Sequence, residues 1–267
     1  MARTRTERFI VTRVTPDGSR RRPDELIVEE PMTIQLDGTV VSTTMRTPGH
    51  DYELAAGYCF TEGLLAGAPV RGVRYCADGS AMATEFNVVT VETGGRAPTP
   101  TPRLGTTSSS CGWCGSDQLD AMLDRLAPLP PDPPIDTAVV AAVPAGVLDG
   151  QGLFTTTGAV HAAAAFDRDG TILLTREDVG RHNAVDKVVG AMLLGGDLPA
   201  TGRGLFVSGR ASVEMVQKAW AAGFGTLVAV SAPTALAVHA ARRAGLTLVG
   251  FVRVDGFNVY ATPPVPS

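Results

Sequence analysis

A closely spaced cysteine pair, Cys111 and Cys114, is the part of this sequence best suited to chemistry. The preceding residues 94–110 are rich in Gly, Pro, Thr and Ser, so we expect a mobile loop there. Ser116 can cap a following helix whose apolar residues recur at helical spacing. The partial positive charge at that helix start favours thiolate over thiol, and thiolate is the nucleophile. The pair is therefore well placed to handle sulfur.

Three uses of a Cys-x-x-Cys pair remain open at this point. A structural zinc site usually needs a second close pair of ligands, whereas Cys59 and Cys76 stand alone and the four histidines are scattered. A thioredoxin-like redox pair would follow a strand, but this pair follows a Pro/Thr/Ser tract. In sulfur relay, one thiolate accepts sulfane sulfur as a persulfide and passes it on. The pattern favours relay or redox chemistry, and we expect Cys59 and Cys76 to pack as small apolar side chains.

Composition restricts the class of protein. The chain has 267 residues, of which 44% are hydrophobic and 19% charged, as in one large or two modest globular domains. A net charge of −4 argues against a broad nucleic-acid surface. The basic N-terminus leads into only a short apolar run, and the uncharged stretch 219–241 is interrupted by Gly, Ser and Pro, so we expect neither a signal peptide nor a membrane span. We expect a soluble cytoplasmic protein without structural disulfides.

The sequence divides into three parts that differ in their expected secondary structure. Residues 1–92 are expected to form a β-rich N-terminal portion, residues 93–115 a mobile loop carrying the cysteine pair, and residues 116–267 an α/β cofactor-binding domain. Asp37-Gly38 between two alternating runs is typical of a two-residue hairpin. The strands predicted in the first part are 9–14, 25–30, 32–36, 39–45, 70–76 and 86–91, with a helix at 51–65.

The last part alternates apolar runs with helical patterns. This alternation predicts a βαβαβ unit with a parallel sheet and right-handed crossovers. A hairpin around Asp169-Gly170 is expected before it, although the alanine run at 162–165 could equally be helical. The predicted strands of the unit are 204–207, 227–230 and 246–252, and its predicted helices are 212–222 and 234–244.

Ligands of parallel sheets bind where the strands end and helix N-termini converge. Here the loops 208–210, 231–234 and 253–256 would meet at that edge, and they offer hydroxyls, backbone N–H groups and guanidinium groups suited to phosphate. No G-x-G-x-x-G or P-loop string supports this interpretation, so ordinary caps and turns are an equal alternative.

The densest polar cluster spans residues 176–187. Within it, Arg181, His182 and Asn183 follow Gly180, an arrangement typical of a helix start that binds an anionic group, with plain capping as the alternative. His161 lies among small apolar residues, and a histidine in that setting is more often a satisfied core group than a ligand.

Several of these strings together resemble a known family, the formate dehydrogenase accessory sulfurtransferases (FdhD). The agreement covers roughly residues 25 to 262 in family order, and the long polar string is its most specific part. Ala159 stands where many members have a second glycine. The strings that carry the resemblance are 111–115, 157–163, 177–187, 208–210 and 250–260.

The resemblance implies an α/β fold with a cytidine deaminase-like three-layer core, a parallel βαβαβ C-terminal part and a smaller β-rich N-terminal portion. It does not imply deaminase chemistry, because that chemistry needs an H-x-E motif and His161 is followed by Ala162-Ala163. No zinc is therefore expected. The implied function is a sulfurtransferase that takes sulfane sulfur from a cysteine desulfurase as a cysteine persulfide. It delivers the sulfur to the molybdenum cofactor, bis-molybdopterin guanine dinucleotide, for formate dehydrogenase, and a homodimer is expected.

The implied site has two parts. The Cys111 thiolate attacks the donor persulfide, and Cys114 resolves the product or relays the sulfur. A cofactor-binding chaperone without sulfur transfer, a zinc-dependent deaminase-like hydrolase and a thiol oxidoreductase are the alternatives. The residues expected to bind the cofactor are Phe251, Val252, Arg253, Val254, Asp255, Gly256, Arg181, His182, Ser208, Arg210 and Ser231.

Overall fold

A computed structural model describes residues 4–76, 81–82, 84–100 and 123–263. Cys111, Cys114 and the helix start expected at Ser116 lie outside the described residues, as does most of the predicted loop. None of the helices within the described ranges is both long and apolar enough to cross a bilayer.

The described residues form a two-stranded ribbon, a four-stranded sheet and a six-stranded sheet, with helices packed between and upon them. The strands are β1 (Thr6–Thr15), β2 (Gly18–Ile27), β3 (Glu30–Leu36), β4 (Thr39–Arg46), β5 (Gly72–Tyr75), β6 (Val88–Glu92), β7 (His161–Phe166), β8 (Ile172–Asp178), β9 (Gly204–Val207), β10 (Thr226–Ala229), β11 (Thr247–Arg253) and β12 (Gly256–Ala261); the helices are α1 (Asp51–Thr61), α2 (Thr137–Leu148), α3 (Gly152–Thr157), α4 (Arg181–Gly195), α5 (Val213–Ala222) and α6 (Ala235–Ala244).

The six-stranded sheet has the order β12-β11-β10-β9-β7-β8. Strands β9, β10 and β11 are parallel and are joined through α5 and α6, so the predicted βαβαβ unit is confirmed. The other strands are antiparallel additions: the hairpin β7–β8 on one side and β12 on the other. The alanine run is therefore a strand, and small side chains there let helices approach the sheet closely.

Helices cover both faces of this sheet. On one face, Val185 and Val188 of α4 share a buried cluster with Leu205 of β9, and α5 and α6 pack beside them. On the other face, Val143 of α2 is buried against Phe206 of β9. The predicted three-layer α/β core, with its parallel C-terminal part and smaller β-rich N-terminal portion, is confirmed.

Helix α2 is not among the elements predicted from the sequence. It contains Pro144 and Gly146, two residue types that usually end helices. Its start is capped by Asp136, whose Oδ1 accepts the backbone N–H of Ala138 at 2.7 Å. Because the valines of α2 are buried on the sheet, packing outweighs the local cost of the proline.

The four-stranded sheet has the order β4-β3-β6-β5, and α1 covers one of its faces. Asp37 and Gly38 join β3 to β4 with φ of 47° and 86°, so the predicted hairpin is confirmed, with both residues left-handed as a primed turn requires. The helix predicted over 51–65 ends at Thr61, because Gly63 adopts a positive φ of 71°. The predicted strand 9–14 lies within β1. The predicted strand 25–30 is only partly correct, because it overlaps the last three residues of β2 and the first residue of β3.

Candidate functional site

The loops that follow β9 and β10 lie side by side at the carboxyl edge of the sheet. The backbone N–H of Ser231 donates to the carbonyl of Gly209 at 3.4 Å, and that of Phe251 donates to the carbonyl of Ser231 at 3.3 Å. A parallel bridge joins Ala211 to Pro233. The predicted meeting of these loops is confirmed, and we refer to residues 208–212, 230–234 and Phe251, with Arg181, as the strand-end site.

The N-terminus of α4 reaches the same edge, because this helix begins at Arg181. A Cβ on Gly209 would lie 3.5 Å from Nδ1 of His161 and 3.9 Å from Cδ of Arg181. The loop after β9 therefore passes directly over both side chains. His161 and Arg181 share one end of the strand-end site.

His161 is thus a site residue that the sequence interpretation assigned to the core. It is half-buried at the first position of β7, the strand that pairs with β9. Burial lowers the pKa of His161, and the neighbouring Arg181 and His182 lower it further. The imidazole is consequently neutral at physiological pH. His161 lies two residues before the partner of Val207, a pairing that the fold shows and the sequence pattern does not.

Two polar atoms of the strand-end site are buried without a hydrogen-bond partner within the described part of the chain. They are Nε of Arg181 and Oγ of Ser212. Ser212 is the N-cap residue of α5, yet its side chain makes no capping bond. A buried polar group left without a partner costs about 1–3 kcal/mol, which an anionic ligand at this helix start would relieve.

His182 and Ser208 fix the walls of this site. Nε2 of His182 hydrogen bonds with Oε2 of Glu214, so the first turns of α4 and α5 are held together. The backbone N–H of Ser208 donates to the carbonyl of Ala162 at 2.9 Å, and Oγ of Ser208 accepts the N–H of Ala162, also at 2.9 Å. The loop after β9 is therefore anchored to β7.

The predicted residues 251–256 lie in different surroundings. Phe251 is 44% exposed with a left-handed φ of 55°, and its backbone is bonded to Ser231. Nη1 of Arg253 donates to the carbonyl of Val230 at 2.7 Å, which places the guanidinium beside the loop after β10. Val252 is buried in the core. The remaining three are exposed: Val254 and Asp255 form the turn after β11, and Gly256 begins β12.

Arg210 lies in the loop after β9 and is exposed. The structure thus brings Arg181, Ser208, Arg210 and Ser231 to one edge, together with Phe251 and Arg253. It leaves Val252 in the core, and His182 faces Glu214.

Most of the polar string 176–187 joins the N-terminal portion to the core. The carboxylate of buried Asp178 accepts the N–H of Thr47 at 3.1 Å and Nδ2 of Asn183 at 2.9 Å. It also pairs with Nζ of Lys187 at 2.7 Å, and that ammonium donates to the carbonyl of Thr47 at 3.0 Å. Burial lowers the pKa of Lys187, although the carboxylate of Asp178 opposes this. These residues are structural.

A second buried network connects three helices. Nζ of Lys218 on α5 donates to Asp186 of α4 at 2.8 Å and to Oγ1 of Thr61 on α1 at 2.9 Å. Burial alone would lower the pKa of Lys218, but the carboxylates of Asp186 and Glu62 raise it. Lys218 is therefore charged and holds α1 to the core.

Glu177 has a structural role as well. Its carboxylate accepts the backbone N–H groups of Leu153 and Phe154 at 2.9 and 2.8 Å, and so caps the start of α3. Among residues 176–187, Arg181 lies at the strand-end site and His182 lies next to it.

The two cysteines within the described residues behave as predicted. Cys59 is fully buried under the four-stranded sheet, and burial raises the pKa of its thiol. Cys76 is buried with Sγ 3.2 Å from Oγ1 of Thr84. In the part of the chain that the structure describes, no group of three or more His, Cys, Asp or Glu is arranged to hold a metal ion.

Comparisons with known proteins cover nearly the whole chain. The profile of the FdhD/NarQ family matches residues 27–264. The sulfur carrier protein FdhD of Mycolicibacterium paratuberculosis is 46% identical over 262 residues, which is 96% of each chain. That of Streptomyces coelicolor is 47% identical over 267 residues, covering 96% of this chain and 94% of the relative.

A solved structure agrees with these relatives. The crystal structure of a protein described as a formate dehydrogenase accessory protein, from Desulfotalea psychrophila, superposes with a TM-score of 0.80 at 25% sequence identity. The superposition covers 97% of this chain and 98% of the other.

Proposed function

The chain belongs to the FdhD/NarQ family, and from this we propose that it is a sulfur carrier serving formate dehydrogenase. In this proposal Cys111 accepts sulfane sulfur from a cysteine desulfurase as a persulfide. The sulfur is delivered to the molybdenum cofactor, bis-molybdopterin guanine dinucleotide, before the cofactor enters formate dehydrogenase. The carrier acts in the cytoplasm as a homodimer.

Sulfur loading is a thiol substitution without net oxidation. The Cys111 thiolate attacks the outer sulfur of the donor's persulfide, a new S–S bond forms, and the donor cysteine leaves as a thiolate. Cys114 can then attack the inner sulfur of the Cys111 persulfide. That step releases hydrosulfide and leaves a Cys111–Cys114 disulfide, so the two cysteines supply the two electrons that reduce the sulfur. Relay of the sulfur to Cys114 is the alternative second step.

The strand-end site is proposed to hold the phosphates of the dinucleotide cargo. The observation that carries this is the pair of buried atoms lacking a partner among the described residues, Nε of Arg181 and Oγ of Ser212. Both lie at helix N-termini, where backbone N–H groups and the helix dipole favour anions. Arg210 adds an exposed guanidinium, and the exposed ring of Phe251 offers a face for a flat heterocycle.

A chaperone that binds the cofactor without moving sulfur is the second candidate, because the strand-end site requires neither cysteine. Replacement of Cys111 by alanine separates the two. Lost cofactor sulfuration with retained binding of guanosine diphosphate supports sulfur transfer. Unchanged sulfuration supports carriage alone, and loss of nucleotide binding in an Arg181→Ala variant tests the site independently of the cysteines.

A further inference from the structure

Among the residues that the structure describes, strand β1 has an open edge. With β2 it forms a ribbon that, within those same ranges, shares no strand with either larger sheet. β2 contacts α3, which leaves β1 on the outer side. Ile10 is 58% and Val14 76% exposed. The ten residues of β1 include neither proline nor lysine, two common protections of free edges, and its charged side chains are those of Glu7, Arg8 and Arg13.

The pairing within the ribbon determines which backbone groups of β1 face outward. The two-residue turn at Pro16-Asp17 makes Thr15 and Gly18 a hydrogen-bonded pair, and such pairs alternate along an antiparallel ladder. Ile10 then falls opposite Pro23 in a non-bonded pair, as the missing N–H of proline requires. The even-numbered residues of β1 therefore direct their N–H and C=O groups away from β2.

We propose that β1 pairs antiparallel with β1 of a second copy of this chain, about a two-fold axis at Ile10. This pairing places Ile10 opposite its own copy and Arg8 opposite Thr12, so outward groups meet outward groups. Glu7 then faces Arg13 of the second copy, and the two-fold axis produces this ion pair twice. The two ribbons become one four-stranded sheet.

Charge complementarity selects this register among those that the backbone allows. Displacing the axis by one residue to Val11 sets Phe9 opposite Arg13 and Glu7 opposite Thr15, and both ion pairs are lost. A two-stranded ribbon alone is only marginally stable in water. A sheet of four strands that carries apolar side chains is stable on its own, so the pairing stabilises both ribbons. The self-complementary edge makes the interface isologous and closed.

This inference rests on the homodimer of the proposed function and is independent of its sulfur chemistry. The test uses the full chain with Cys111 and Cys114 replaced by serine, so that these thiols cannot cross-link. In that background Ile10→Cys is compared with Val14→Cys, which lies on the same face of the same strand. The Cα atoms of two paired Ile10 positions are about 5.5 Å apart, within disulfide range. Those of the Val14 positions are about 27 Å apart.

On oxidation, the Ile10→Cys protein is expected to become a disulfide-linked dimer at least tenfold faster than the Val14→Cys protein. Equal rates would indicate random collision and would overturn the proposal. A charge exchange adds a second readout by analytical ultracentrifugation. Glu7→Arg and Arg13→Glu singly weaken the dimer, and together they restore it.

A proline at an outward-facing position tests the edge directly. Thr12→Pro removes an N–H that is not used within the ribbon, as Pro23 does on β2, so circular dichroism should be unchanged while the dimer dissociates. A monomeric parent protein, or a dimer unaffected by Thr12→Pro, overturns the pairing. Sulfur loading of Cys111 in the parent chain would remain informative in either case.

Discussion

Gly57 of α1 and Gly190 of α4 face each other at a crossing that has no room for a side chain on either residue. A Cβ on Gly57 would lie 1.9 Å from the carbonyl oxygen of Asp186, and one on Gly190 would lie 1.8 Å from that of Glu53. Both distances are far below van der Waals contact, so the backbones themselves pack together. This crossing attaches the N-terminal portion to the helix whose first residue, Arg181, enters the strand-end site.

Gly190→Ala should therefore destabilise the fold, by about 3 kcal/mol or more, because the methyl group forces the two helices apart. Urea unfolding measures the change. Gly152→Ala is the matched control, since a Cβ there meets nothing within 4 Å and its φ is not positive. The control should unfold like the parent chain. Equal stability of the two variants would contradict the close crossing.

Stability should fall in acid through Glu53. Burial alone would raise the pKa of this carboxyl, but hydrogen bonds from His50 and Arg176 lower it to about 2, against an ordinary value of 4.5. The stabilisation is therefore complete above about pH 5 and is lost as pH falls toward 2. Because Glu53 is partly exposed, we expect a contribution of about 1 kcal/mol.

The measurement for Glu53 is the difference in unfolding free energy between the parent chain and Glu53→Gln at pH 6 and pH 3. The difference should shrink at pH 3. If it is the same at both pH values, the carboxylate is not held ionised by its two partners.

Arg181→Ala should weaken binding of guanosine diphosphate by about 10–100-fold, since a charge-assisted hydrogen bond contributes about 1.5–3 kcal/mol. Calorimetric titration gives the affinity. Arg243→Ala serves as the control, because Arg243 pairs with Asp124 on the exposed side of α6. An affinity that changes equally in both variants would exclude a specific phosphate contact at Arg181.

His161 should give the strand-end site a pH dependence. Its lowered pKa keeps the imidazole neutral at pH 7, and protonation at lower pH adds a positive charge beside Arg181. Nucleotide affinity should therefore rise as pH falls through that pKa, and this rise should be smaller in His161→Asn. The nucleotide's own titration is common to both proteins. Identical pH profiles would place the imidazole outside the site.

Periodic patterns made the βαβαβ unit predictable, because each of its elements satisfies its own apolar pattern locally. The roles of Asp178 and Lys187 were not predictable. Their partner Thr47 lies more than 130 residues away in the sequence. A run of charged residues shows the same sequence pattern whether its side chains bind a ligand or pair with buried backbone groups. Pro144 is a residue type that argues against a helix, so the sequence did not predict α2. The small apolar neighbours of His161 favoured a core position for it. Tertiary packing, which local sequence does not show, determines the structure in both cases.

The most direct test of the central claim is the mass of the Cys111 peptide after the protein has been incubated with a cysteine desulfurase and cysteine. The account predicts a gain of one sulfur, about 32 Da, on that peptide, lost on reduction and absent in Cys111→Ala. A Cys111 peptide of unchanged mass, from a reaction in which the donor enzyme itself carries persulfide, would contradict the account.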